Sequence, residues 1–375
     1  MSARPAIGVV GLGTMGLGIA QIFAASGCEV IATDSQPDAQ ARAAPRIMEA
    51  LEARVAAGKL TAAARDSTMA NLRVTANPAD FTACCLVIEA IIEEVEAKRR
   101  LFTALEAIVT AQTVLATNTS SISVQAIASA LSRPERCLGL HFFNPPAAMR
   151  LVELVRHKET SPAAAALARN LTERAGKTVV ECPDRPGFIV NRCARPFYGE
   201  ALAMFGEGRS ASEIDAAMVA AGYRMGPFSL IDLIGADINL AATEGLYGAM
   251  GNHPRYLPFP ALRAQVAAGK LGRKAGKGFV FPDQPGEPPA DAAAIALRIE
   301  AALVNEAFWL LAEGGVEARD IDTAMALGLN FPRPPFALLE RHGRSGILAE
   351  LARLHAAAPA TLKPRYLPAP DLEAP

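Results

Sequence analysis

The feature that most constrains this chain is a glycine-rich turn almost at its start. Gly11-Leu12-Gly13-Thr14-Met15-Gly16 follows a short apolar run at 6–10 (AIGVV) and leads into a helical stretch from Leu17 to Ala25. A lone G-x-G-x-x-G carries little weight, but one set between a strand and a helix fits a βαβ dinucleotide-binding unit. Gly11 allows the tight turn, Gly13 lets backbone approach a pyrophosphate, and Gly16 lets helix pack on strand. The backbone N–H groups of Thr14, Met15 and Gly16 open the helix and turn its positive dipole end toward phosphates. A second run, 28–33 (CEVIAT), ends at Asp34, whose carboxylate suits both hydroxyls of a ribose. It would repel a 2′-phosphate, and Ser35-Gln36-Pro37 bring no arginine to hold one. The expected cofactor is therefore NAD; a glycine-rich turn serving another nucleotide such as FAD is the competing reading.

Further runs at 85–91, 113–117, 136–143, 150–155 and 177–181 alternate with Ala-rich helical stretches, which predicts a doubly wound α/β domain over 1–185. Residues 39–72 have a helical period and predict a hairpin of helices turning near Gly58-Lys59. After the Pro/Gly boundary Cys182–Gly187 the pattern turns to helices separated by Gly and Pro. A second break at 281–289 (FPDQPGEPP) predicts a stiff linker. The expected architecture is a Rossmann-type domain, 1–185, and two all-α domains, 186–284 and 290–375. With 51% apolar and 20% charged residues the chain is too apolar to be disordered. Its net charge of -1 gives no basic field for nucleic acid, so an anionic ligand needs a local site. Six scattered cysteines without a C-x-x-C predict reduced thiols. No signal-peptide pattern and no membrane-length apolar run are present, so the expectation is a soluble cytoplasmic protein without a membrane partner.

Polar residues gather at predicted strand ends between 117 and 153. Thr117-Asn118-Thr119-Ser120-Ser121 closes one strand, and the next ends in His141-Phe142-Phe143-Asn144. Ligands of open α/β sheets sit beyond the carboxyl ends of the strands, so Ser120 and His141 are expected to face one crevice. His141 has the chemistry of a general base. Glu153, within the apolar run 151–155, needs a partner, and a histidine is a fitting one. Spacing alone leaves two plainer readings open: a core histidine beside Phe142-Phe143, and an outward-facing glutamate on an edge strand.

The motifs GxGTMGxGIA, EAIIEE (89–94), NTSS (118–121), GLHFFNPP (139–146), MRLVELV (149–155) and GFIVNR (187–192) together resemble the L-3-hydroxyacyl-CoA dehydrogenases across residues 1–282. The resemblance implies an NAD-dependent oxidation of 3-hydroxyacyl-CoA, with an acyl-CoA thioester as substrate. It implies His141 as catalytic base and acid, Glu153 as its partner, and Ser120 and Asn191 as hydrogen-bonding groups near the reacting oxygen. It sets Glu93 and Lys98, in the pattern E-x-x-x-x-K, near the cofactor ribose and the CoA side, Asn144 by the nicotinamide, and Lys274 of LGRKAGKGF (271–279) at the cofactor. For both lysines, solvated charge is the plainer alternative. The family pattern ends in Phe-Tyr, where this chain has Phe279-Val280.

The last hundred residues read as a degenerate repeat of the region before them. In order, Arg192 and Glu200 match Arg298 and Glu306, EIDAAM (213–218) matches DIDTAM (320–325), GPFSLI (226–231) matches PPFALL (334–339), and PRYLPFP (254–260) matches PRYLPAP (364–370). Asn191 falls opposite Leu297, and the chain has no second LGRKAGKG. The second copy therefore reads as architectural. It could stand in for a dimer partner, giving a monomer with an internal pseudo-dimer, or the chain could be a homodimer. Two other functions stay in view: a related dehydrogenase of a small hydroxy acid, like the gulonate dehydrogenase and lambda-crystallin branch, and a non-catalytic NAD-binding protein.

Overall fold

Short runs of β-branched and small apolar residues, each closed by Gly, Pro or a polar cluster, form the strands of the first unit. In the computed structural model, which describes residues 4–373, the chain divides after Arg185 into two units. The first unit runs β1 (Ala6–Val10), α1 (Thr14–Ala25), β2 (Glu29–Thr33), α2 (Pro37–Ala56), α3 (Ala62–Ala70), β3 (Leu72–Val74), β4 (Leu86–Glu89), α4 (Val95–Glu106), β5 (Val114–Thr117), α5 (Val124–Ala128), β6 (Cys137–Phe142), β7 (Leu151–Arg156), α6 (Pro162–Arg174) and β8 (Thr178–Pro183).

The strands form one sheet in the order β3-β2-β1-β4-β5-β6-β7-β8. β1 to β6 are parallel, β7 runs antiparallel to β6, and β8 is parallel to β7. From β1 the chain winds to β2 on one side and later to β4 on the other. The crevice where the order reverses is where such sheets bind ligands. The core lies against α1, with Ile7, Val9, Ile19, Phe23, Val30, Leu86 and Leu140 fully buried.

The helical hairpin at 39–72 is present as α2 and α3, with Gly58 at φ 67° between them. The edge strand β3 was not expected. Three residues are too few for a two-residue period to show, and β3 exists because the open edge of β2 takes partners there: Val30 N–H donates to Asn71 O and Thr75 N–H to Ala32 O.

The second unit is helical: α7 (Val190–Cys193), α8 (Arg195–Gly206), α9 (Ala211–Ala220), α10 (Pro227–Ile234), α11 (Ala236–Ala249), α12 (Pro260–Ala267), α13 (Ala292–Ala312), α14 (Ala318–Leu329), α15 (Pro335–His342), α16 (Arg344–Ala357) and α17 (Pro370–Glu373). The stretches expected as two separate helical domains form a single unit here, because α13 packs on α8 and α9 as well as on α15 and α16.

The ion pairs between the two stretches are reciprocal. Glu306 accepts from Arg192 Nε at 2.8 Å, Arg255 Nε at 3.0 Å and Tyr256 Oη at 2.5 Å. Glu200 accepts from Arg298 Nε at 2.9 Å, from Arg365 Nε, and from Tyr366 Oη at 3.1 Å. Glu313 takes a two-pronged bond from Arg192, and Glu207 one from Arg298. The Pro-rich tail is thus built into the unit, with Arg365 and Tyr366 buried. Asp215 caps α10 through Phe228 and Ser229 N–H, and Asp322 caps α15 through Phe336 N–H.

All six cysteines are free thiols, and burial pushes Cys84 up to about 12, far from the thiolate. Among the described residues no helix is long and apolar enough to cross a membrane.

Candidate active site

The glycine-rich loop leaves β1 at the point where the strand order reverses. Gly11 has φ 97°, and a Cβ there would meet the Ala90 backbone after β4. A Cβ on Gly16 would fall on the Gly11 carbonyl, so α1 can approach β1 only with glycine at that position. Gly13 differs: nothing stands near where its Cβ would be, and it is exposed. That open face is what a pyrophosphate needs. No side chain caps α1, so the N–H groups at Thr14, Met15 and Gly16 keep a phosphate-binding geometry. Asp34 accepts from Leu12 N–H at 2.7 Å and from Gln36 N–H at 2.8 Å. These bonds lock its carboxylate at the tip of β2 beside the loop. The residues therefore fit a dinucleotide.

The polar network at the ends of β4 and β5 is denser than its sequence pattern suggests. Glu89, fully buried, accepts from Lys98 Nζ at 2.5 Å, Thr117 Oγ1 at 2.7 Å and Ile91 N–H at 2.7 Å. Lys98 is 1% exposed and also lies 3.3 Å from Glu93. Its ammonium is committed to two carboxylates and has no surface to offer a CoA phosphate. Glu93 in turn accepts from Thr119 Oγ1 at 2.6 Å, Ser120 N–H at 3.0 Å and Ser121 Oγ at 3.1 Å. Burial alone would raise the Glu93 carboxyl, but Lys98 and the Thr119 hydroxyl hold it below the usual carboxylate range. Glu93 thus fixes the loop that carries Ser120. Glu93→Gln is expected to lower kcat/KM roughly tenfold or more by loosening that loop, measured by steady-state kinetics. An unchanged kcat/KM would show the clamp to be dispensable.

His141 and Glu153 are directly opposite in the antiparallel β6–β7 register. Residues opposite one another share a face of the sheet, and the pair closes a hydrogen bond of 2.6 Å between His141 Nδ1 and Glu153 Oε2. His141 is 6% and Glu153 0% exposed. A buried carboxylate at Nδ1 selects the tautomer with the proton on Nδ1, so that Nε2 carries the lone pair. The ring of Phe143 stands 4.5 Å from the imidazole. Asn118, which sequence reasoning missed, accepts from Phe142 N–H at 2.9 Å and ties the end of β5 to β6 beside the histidine. Glu89 was also missed as a site residue, because a glutamate inside LVIE reads as an ordinary strand end. Asn144 lies just after β6 and is exposed.

Asn191 and Lys274 belong to the second unit. Asn191 sits in α7, straight after a turn in which both Gly187 (φ 75°) and Phe188 (φ 47°) are left-handed. Lys274 lies 2.7 Å from Asp237 Oδ2 and is 44% exposed.

A switch-point glycine loop, an acidic tip on β2 and a buried His–Glu pair at the end of β6 define a dinucleotide-dependent dehydrogenase. The comparisons with known proteins make this specific. Residues 6–185 match the family model described as 3-hydroxyacyl-CoA dehydrogenase, NAD binding domain, and residues 187–281 and 295–372 match its C-terminal domain. The chain belongs to the 3-hydroxyacyl-CoA dehydrogenase family, and its cofactor is NAD. It is 43% identical to the 3-hydroxyadipyl-CoA dehydrogenase of Escherichia coli K12 over 274 residues, which cover 72% of this chain but 58% of that enzyme. It is 41% identical to a probable 3-hydroxybutyryl-CoA dehydrogenase of Deinococcus radiodurans, covering 72% of this chain and 98% of that one. The crystal structure of 3-hydroxybutyryl-CoA dehydrogenase from E. coli K12 superposes with a TM-score of 0.91 at 32% identity, covering 99% of this chain and 98% of that one.

Proposed function

We propose that the protein interconverts (S)-3-hydroxyacyl-CoA and 3-oxoacyl-CoA, as a cytoplasmic enzyme. The observation that carries this reading is the 2.6 Å His141–Glu153 pair, in a chain of this family. NAD⁺ supplies the hydride acceptor. In the oxidation His141 Nε2 takes the proton of the 3-hydroxyl as hydride leaves C3. The Glu153 carboxylate stabilises the imidazolium that results and keeps the ring from turning. In the reverse direction the same Nε2–H returns the proton to the carbonyl oxygen. Ser120, on the loop fixed by Glu93, is assigned a hydrogen bond to the reacting oxygen. Asn191 is assigned one to the bound substrate. Lys274 and Asn144 are assigned to the cofactor.

Purified protein mixed with acetoacetyl-CoA and NADH should lose absorbance at the NADH band. Turnover of a free sugar acid with no turnover of any 3-oxoacyl-CoA would move the protein to the small-hydroxy-acid branch. Asp34→Asn is expected to weaken NADH binding about tenfold, since a hydrogen bond to a charged group contributes about 1.5–3 kcal/mol. Fluorescence titration of NADH measures it, and unaltered affinity would remove Asp34 from the ribose site.

The second helical stretch is proposed to be a duplicate of the first that takes the place of a dimer partner. The reciprocal Glu200 and Glu306 clusters and the C-terminal-domain match at 295–372 support this. Sedimentation should then find a monomer; a tight dimer would sink the substitution of partner by repeat.

A further inference from the structure

The turn that follows β6 is held from two sides by residues distant in sequence. β7 returns antiparallel to β6, and β8 lies parallel to β7 with Thr178 opposite Leu151. Thr178 N–H donates to Arg150 O at 2.8 Å. This register sets Lys177, the last residue before β8, beside the last residues before β7. It also sets Lys177 at the carboxyl edge of β1 to β6, where the glycine loop leaves β1 and where sheets of this kind bind ligands.

Lys177 Nζ donates to the carbonyls of Pro146 at 2.6 Å and Met149 at 2.8 Å. The turn's own hydrogen bonds, from Ala148 and Met149 N–H, both end on Pro145 O. The other two carbonyls are left to the lysine. Burial pushes the Lys177 ammonium below the usual lysine range, with no carboxylate to offset it. A lysine that served solubility would keep its ammonium in water. This one gives up hydration for two backbone carbonyls, so what it stabilises is the turn.

On its other side the turn rests on α1. Pro146 is buried, while Asn144, Pro145, Ala147 and Ala148 around it are exposed. A Cβ on Gly18 would stand 2.9, 3.0 and 3.1 Å from Cγ, Cδ and Cβ of Pro146. Glycine there lets the proline seat against the helix that opens with the glycine loop. At the start of the segment the Phe143 ring stands 4.5 Å from the His141 imidazole. Residues 143–149 thus meet the His141 ring at one end and α1 in the middle, and Lys177 closes the other end.

We infer that Lys177 is a positioning residue for hydride transfer: by clasping the turn at 143–149 it keeps Asn144 at the dinucleotide and Phe143 on the His141 ring. The part played by Asn144 rests on its assignment to the cofactor in the proposed function above.

NADH affinity is read by fluorescence titration of the full chain, and kcat from reduction of acetoacetyl-CoA at saturating NADH, both well below the unfolding temperature. Lys177→Met is expected to weaken NADH binding about fivefold, the worth of one neutral hydrogen bond. It should lower kcat about tenfold, with the KM for acetoacetyl-CoA within about twofold. Lys177→Arg, which keeps a charged donor for two carbonyls, should stay within about threefold of wild type in both readouts. Gly18→Ala disturbs the turn from the other side and favours helix in α1, so a loss there is not an unfolding effect. Its effect on kcat should be less than additive with that of Lys177→Met, since both act on one turn.

Arg136 supplies the comparison. It donates to Thr110 O at 2.6 Å just before β6, at the opposite edge of the sheet. Arg136→Met should lower the thermal midpoint and leave NADH affinity and kcat unchanged. A Lys177→Met enzyme with wild-type NADH affinity and kcat, whatever its thermal midpoint, would overturn the inference, as would additive effects of Gly18→Ala and Lys177→Met. Asn144→Ala separates the two claims: intact NADH affinity there would overturn the assignment of Asn144, whereas the Lys177→Met titration judges the clasp. If the wild type does not reduce acetoacetyl-CoA, the proposed function fails while the NADH titration still judges Lys177.

Discussion

His141→Gln is expected to lower kcat for reduction of acetoacetyl-CoA by about 10²–10⁴-fold, the usual contribution of a positioned acid–base group. NADH affinity should stay within about twofold, because the glycine loop and Asp34 lie at β1 and β2, three and four positions from β6 in the sheet order. The glutamine cannot exchange a proton near neutral pH, though it can still bond to Glu153. A variant with wild-type turnover would remove His141 from the chemistry. Glu153→Gln tests the other half of the pair. It keeps an acceptor at Nδ1 but removes the negative charge that stabilises the imidazolium, so kcat should fall while the substrate KM moves little. Equal loss in both parameters would point to a folding defect, and near-UV circular dichroism separates the two.

Glu306→Gln is expected to destabilise the helical unit by about 3–5 kcal/mol, the cost of leaving a buried charge without its partner. Arg192 and Glu306 are 0% and 1% exposed, and Arg255 and Tyr256 share the same carboxylate. Trp309 sits in the affected region, so its fluorescence during urea unfolding reports this unit directly. Combining Glu306→Gln with Arg255→Met should cost less than the sum of the single changes, because Arg192 keeps Glu313 whereas Arg255 pairs with Glu306, and its orphaned guanidinium is then gone. A Glu306→Gln midpoint equal to wild type would show that the cluster adds nothing to stability.

The matching cluster gives a pH dependence of definite sign. Burial alone would raise the Glu200 carboxyl, but Arg365 and Arg298 hold it below the usual range. A carboxylate whose folded pKa is depressed adds stability above its unfolded value, near 4.5. That contribution is lost as pH falls through the lower folded value. Glu200→Gln should therefore unfold more readily than wild type near neutrality, and the gap should narrow under acid conditions.

Much of the first unit was legible because its signals are local. The glycine loop, the apolar runs and the acidic end of β2 each depend on neighbours within a few residues, and backbone sterics and the two-residue strand period are enough to read them. The edge strand β3 escaped because three residues carry no period. The pairing of His141 with Glu153 could be suspected from composition. It became geometry only through the antiparallel register, which no local pattern specifies. Lys98 shows the limit most clearly. Its spacing from Glu93 was readable, but burial against Glu89 turned a residue expected at the CoA side into the holder of a loop.

The sequence by itself determined the dinucleotide fold, the cofactor and the family, because these rest on short motifs whose chemistry is carried by adjacent residues. It also raised the expectation that the last hundred residues echo the stretch before them. Only the tertiary structure decided how the two stretches meet. Arg192 reaches Glu306 and Arg298 reaches Glu200 across more than ninety residues of chain. Whether a buried charge finds a partner depends on which helices meet, and that is set by the packing of the whole core.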